Sequence, residues 1–112
     1  MCIETRAFLA LLRDLLGDSA STRELASDNA TDWITGYSNV QSEILVSILL
    51  WIAEQESDET ALEAELHAAA EIAENAGITR NALLALDAID RQKLTGSAVE
   101  HYEYLRSLSS GN

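Results

Sequence analysis

The chain of 112 residues contains no proline and one residue each of cysteine, methionine and phenylalanine. The single cysteine, Cys2, excludes an intramolecular disulfide and a cysteine-based metal site, which suits a reducing compartment. Cys2 reads as an inert residue near the terminus, not as a nucleophile. Basic residues are scarce: 7 Lys and Arg face 19 Asp and Glu, for a formal net charge of −12. That deficit argues against nucleic acid and anionic membrane as partners, because both need a basic footprint. Long apolar runs are missing too. The longest, Ile44 to Ala53 with Ser47 inside it, is about half a membrane span. The start, Met1-Cys2-Ile3-Glu4, lacks the basic and apolar regions of a signal peptide, so the expected location is the cytoplasm. Gly17, Gly36, Gly77, Gly96 and Gly111 are isolated, so no phosphate-cradling glycine loop exists.

What is present is helical periodicity from end to end. Hydrophobic content of 47% suits one all-helical domain over residues 1–112. Phe8, Leu9, Leu12, Leu15 and Leu16 make one apolar face between Ile3 and Leu16, and Gly17 stands where a helix ends. The interval 18–37 is rich in Ser, Thr, Asp and Asn and reads as a long, partly ordered connection with a short helix around Thr22 to Ala26. Ser38-Asn39-Val40-Gln41 has the form of a capping box. It opens the most apolar helix, in which Ile44, Leu45, Ile48, Leu49, Trp51 and Ile52 leave a narrow stripe of Glu43, Ser47 and Glu54. That helix is expected to be central, with Trp51 in the core.

Ser57 or Asp58 caps the next helix, which stops at Gly77 and carries the seam Leu62, Leu66, Ala69, Ala73 and Ala76. Thr79 caps a fourth helix with Leu83, Leu84, Leu86 and Ile89. Ser97 to Glu100 forms a second capping box for a last helix, whose Tyr102 and Tyr104 lie on different faces, so one is exposed. A weak repeat sets Ile44-Leu45-Val46-Ser47-Ile48 against Ala82-Leu83-Leu84-Ala85-Leu86. The expected fold is therefore all-α: a compact bundle, or a very short helical-hairpin (HEAT-like) solenoid, of about five helices.

Charge is distributed unevenly. Residues 24–79 hold twelve acidic residues and no Lys or Arg, whereas both flanks are neutral. Glu59, Glu63, His67, Glu71 and Glu74 follow spacings of four and three on one helical face, and Glu54, Glu56 and Asp58 extend the acidity through the preceding turn. Like charges four residues apart repel by a few tenths of a kcal/mol each. Such a face is either simply solvated or a docking face for a basic partner.

Catalytic patterns are not found. Glu63, His67 and Glu71 share a face, but a di-metal carboxylate bundle needs Glu-x-x-His pairs from two helices, and no Glu-x-x-His occurs. No serine, threonine or cysteine sits in a recognisable nucleophile elbow. The expectation is a protein that is not an enzyme and uses no metal or cofactor.

The segments Trp33-Ile34-Thr35-Gly36-Tyr37, Ser42-Glu43-Ile44-Leu45 and Trp51, with Ile78 to Leu86 and His101 to Leu105, resemble small acidic immunity proteins. These all-helical, HEAT-like proteins accompany bacterial polymorphic and contact-dependent growth inhibition toxins. The resemblance implies a non-catalytic inhibitor that binds a cognate toxin domain, and a basic, nuclease-like one suits the acidic face. Asp28, Asp32, Trp33, Tyr37, Glu54, Glu56, Asp58, Glu59, Glu63, Glu71 and Glu74 are then the candidate partner-binding residues, although Trp33 and Tyr37 fit core packing equally well. Two other readings use the same features. One is a DNA-mimic inhibitor of a nucleic-acid-binding protein; the other is a helical adaptor that forms a homo-oligomer through apolar surface around Leu50 and Trp51.

Overall fold

In the computed structural model, which describes residues 3–77 and 80–110, apolar residues at helical spacing fold Thr5–Leu15 into α1. Phe8, Leu11 and Leu15 form its buried face. The chain turns at Gly17 into α2, Ala20–Asp32. Most of the interval read as a loose connection is therefore a 13-residue helix, not a short one. The Ser19 hydroxyl accepts from the Thr22 amide at its start. Its buried residues are Ala26, Ser27 and Ala30, and its one large apolar residue, Leu25, is exposed. The contact face is made of small side chains, so the segment shows no strong apolar periodicity.

A 3-10 turn at Ile34–Gly36 leads to α3, Asn39–Gln55. The expected capping box is present: the Gln41 amide donates to the Ser38 hydroxyl, and the Gln41 side chain accepts from the Ser38 amide. Gln41 also donates to the Ile3 carbonyl, tying the start of the chain to α3. Asp58 caps α4, Glu59–Ala76, through the Ala61 amide. Gly77 ends it in the left-handed conformation, φ 67°, that a side chain disfavours.

The expected fourth α-helix is a 3-10 segment, Arg80–Ala88, and its proposed cap Thr79 lies outside the described residues, as do Cys2 and Ile78. Ala82, Leu83, Leu86 and Ile89 still turn into the core, so apolar spacing survives the tighter winding. A second short 3-10 turn, Arg91–Lys93, precedes α5, Ser97–Ser110. The second capping box is replaced by a tertiary bond, in which the Ser97 hydroxyl donates to Glu63 on α4. Tyr102 is buried and Tyr104 is exposed.

The central helix is α4, not α3. It packs against α2, α3 and α5, and ten of its residues are buried, six of them alanines. Alanine lets a neighbouring axis approach to about 8 Å on every side where it occurs. Arg23, in the first turn of α2, meets Glu56 just before α4, while Asn75 near the other end of α4 donates to Ile34 just after α2. Hence α2 and α4 run side by side in the same direction and α3 runs back between their ends. The molecule is a compact all-α bundle, a slab of 37 × 36 × 18 Å, about two helix layers thick. No helix among the described residues is long and apolar enough to cross a membrane.

Close packing along α4 makes a direct prediction. Ala69→Leu, at a fully buried position, should cost about 1–3 kcal/mol of unfolding free energy through overpacking. Val40→Ala on the exposed face should change it by less than about 0.5 kcal/mol. Urea unfolding monitored by circular dichroism measures both, and an equal effect at the two positions would contradict the close α4 contacts.

Candidate functional site

With the rest of α4 enclosed, the residues it shows to solvent are largely the acidic ridge. Glu59 and Glu74 are exposed, while Glu63, His67 and Glu71 are half-buried. The middle of the ridge is engaged by α5. Glu63 Oε2 accepts from the Ser97 hydroxyl at 2.9 Å and lies 3.0 Å from His101 Nε2. The His67 and His101 rings are 4.9 Å apart, and His67 Nε2 is 3.9 Å from Glu71 Oε2. Partial burial, together with Glu74 and Glu71, raises the pKa of Tyr104 on α5. Glu63 therefore serves the α4–α5 seam. Among the described residues, no group of three or more His, Cys, Asp or Glu is placed to hold a metal ion.

The other candidate residues lie on α2 and towards the two ends of α4. Asp28 and Asp32 are exposed on α2, and Asp32 and Trp33 line a cleft of about 410 Å³ with Ile3, Ala7, Thr35 and Gly36. The Asn75–Ile34 hydrogen bond brings this end close to Glu74. Glu54, Asp58 and Glu59 sit at the opposite end, about 22 Å away along α4. Tyr37 is structural: its hydroxyl donates to the Ala30 carbonyl at 2.7 Å and its ring meets Phe8 edge-on at 6.5 Å. Burial, with Asp32 nearby, raises its pKa well above the usual phenol value.

Glu56 does not belong to the surface. It is 3% exposed and forms a bidentate pair with Arg23, Nε to Oε1 at 2.7 Å and Nη2 to Oε2 at 2.8 Å. Arg23 also donates to the carbonyls of Gly17 and Asp18, and the Asp58 amide donates to Glu56. The Arg23 hydrogen bonds hold the Glu56 carboxyl down at about 2, against the opposing effect of burial.

Glu65, absent from the candidate residues, lies fully buried close to the same pair, with both oxygens unpartnered. Burial first, and the Glu56 carboxylate second, push its carboxyl up to about 10. The two glutamates are neighbours, but no hydrogen bond of good geometry joins them. Helical phase carried a signal for Glu65: it lies about 200° around the helix from Glu63 and within about 60° of Leu62, Ala69 and Ile72.

Trp51 corrects a further expectation. It is 52% exposed, and Val40 and Ile44 are exposed on the same face of α3, whereas Leu50 is fully buried. Trp51 lines a cleft of about 510 Å³ with Leu15, Leu16, Gly17, Arg23, Ile52, Gln55, Glu56 and Ser57. The cleft joins an open aromatic ring to the buried ion pair. No protein-family model matches the chain, and neither does any curated protein or solved structure.

The Glu56–Glu65 pair predicts a stability optimum on the acid side of neutrality. Between pH 4.5 and about 10 the unfolded chain releases the Glu65 proton that the folded chain retains, so stability falls as pH rises. Below pH 4.5 Glu56 acts in the opposite sense, and stability is lost as pH falls towards about 2. Glu65→Gln keeps the shape without the ionisation. It should raise the melting temperature at pH 8 by several degrees, an effect that shrinks towards pH 4.5. Parallel melting curves for both proteins between pH 5 and 8 would contradict a protonated Glu65.

Proposed function

We propose that the chain is a non-catalytic binding protein that inhibits a cognate basic, nuclease-like toxin domain in the cytoplasm of the cell that makes both. The observation carrying this reading is the set of exposed carboxylates Asp28, Asp32, Glu59 and Glu74. Among the described residues, none of them has a Lys or Arg at ion-pair distance. A merely soluble surface mixes both signs. A surface of one sign, by contrast, steers an oppositely charged partner and can raise association rates to about 10⁸–10⁹ M⁻¹s⁻¹ at low salt. The resemblance to acidic immunity proteins names a class of basic partner for which fast capture matters. The internal roles of Glu56, Glu63 and Tyr37 narrow the proposed surface to Asp28, Asp32, Trp33, Glu54, Asp58, Glu59, Glu71 and Glu74.

Affinity capture on the tagged protein, washed at low and high salt, tests this reading alongside an Asp32→Lys, Glu59→Lys, Glu74→Lys variant. The expected result is one basic partner, eluted by salt, whose association with the variant is slowed by at least about tenfold. Equal retention by the variant at both salt concentrations would overturn the acidic-surface reading. Recovery of the chain alone, with a mass that rises with concentration, would overturn it in favour of self-association.

A further inference from the structure

We infer that the cleft beside Trp51 receives an arginine side chain of the partner, an inference that rests on the binding function proposed above. The cleft, about 510 Å³, has two chemically different parts. Leu15, Leu16, Trp51 and Ile52 form an apolar wall that suits an aliphatic stem. Gly17, Gln55, Glu56 and Ser57 form a polar end, where the C-termini of α1 and α3 converge. Helix C-termini carry partial negative charge; the last turn of α3 holds no basic residue, whereas that of α1 holds Arg13 and the N-termini of α2 and α4 follow within a few residues. A long side chain with an apolar stem and a cationic head matches both parts.

Charge favours the same occupant. The lining itself holds one carboxylate, Glu56, and one guanidinium, Arg23, while the flanking parts of residues 13–24 and 51–59 add six carboxylates and one arginine. Arg23 lines the cleft, but its charge is matched by Glu56 and its Nη1 donors by the carbonyls of Gly17 and Asp18. Arg13 lies beside Asp14. The open indole adds a preference between cations. A planar guanidinium stacks on an aromatic face while still donating several hydrogen bonds, which a compact ammonium does less well. An uncharged apolar side chain would leave the polar end, with Gln55 and Ser57, without a hydrogen-bonding partner.

A Trp33→Phe protein leaves Trp51 as the sole tryptophan and a fluorescence reporter of the cleft. It is titrated with acetyl-Gly-Arg-Gly-amide and with the citrulline counterpart, which has the same shape and no charge, at matched low ionic strength. The expected result is a saturable change with the arginine peptide and about fivefold weaker binding of the citrulline peptide. Gln55→Lys, an exposed change that leaves the reporter in place, should weaken the arginine peptide by a similar factor. Equal binding of the two peptides, no saturable change, or insensitivity to Gln55→Lys would overturn the inference. If the peptides fail while a basic partner still binds by a salt-dependent contact with the acidic residues, the arginine pocket falls and the binding function stands. If partner binding shows no salt dependence, the binding function falls whatever the peptides do.

Discussion

Close approach along α4 sets the positions of the other helices. Its alanines at 61, 64, 68, 69, 70 and 73 are all buried, so neighbouring helices can press on several sides of one helix. A helix of larger residues would hold them at greater separation and open gaps between them. Two consequences follow from this geometry. The polar segment 20–32 is recruited as a full helix, because Ala26, Ser27 and Ala30 can lie against α4 without a large apolar side chain. The solvent-facing part of α4 shrinks largely to the line of Glu59, Glu63, His67, Glu71 and Glu74, and even that line is partly claimed by α5.

A strongly acidic chain that encloses one helix on several sides also encloses some of its carboxylates. Among the described residues two carboxylates are enclosed, Glu65 on α4 and Glu56 just before it, and they are accommodated in opposite ways. Glu56 stays ionised because Arg23 presents two N–H groups to it and the Asp58 amide adds a third donor. Glu65 has no such partner and keeps its proton, since an unpaired buried charge is far more expensive than a neutral acid. The same arginine bonds the turn between α1 and α2 through Gly17 and Asp18. One guanidinium thus joins α2, the α1–α2 turn and the α3–α4 corner. Removing it would leave a buried carboxylate uncompensated, which is why this corner is a structural element as well as the floor of a cleft.

The surface that remains is divided by chemistry. Carboxylates occupy both ends and the outer line of α4, while α3 turns Val40, Ile44 and Trp51 outward. The Trp51 cleft lies at the α3–α4 corner, where Glu54, Asp58 and Glu59 follow in sequence. An open aromatic ring thus lies beside a predominantly acidic stretch of surface.

The all-helical class, the start of α3 at its capping box, the span of α4 from Asp58 to Gly77 and the acidic ridge were all legible in the sequence. Each rests on local chemistry: spacing of apolar residues, a side-chain acceptor before a helix, a glycine after it, charges four apart. Three features depend on contacts between segments distant in the chain. The helix α2 is one, since small residues carry no apolar signal until a partner surface is present. The exposure of Trp51 is another, because an almost wholly apolar helix does not reveal which side its neighbours will cover. The third is the internal role of Glu56 and Glu63. Both read as surface charge in sequence, and only the positions of Arg23 and His101 draw them into internal contacts, whereas Glu65 already lies on the apolar phase of α4. The sequence by itself determined the helices and their charge, which are local properties. The tertiary structure alone decided which charges are buried and which aromatic ring is open, because burial is a property of the assembled neighbours and not of the chain.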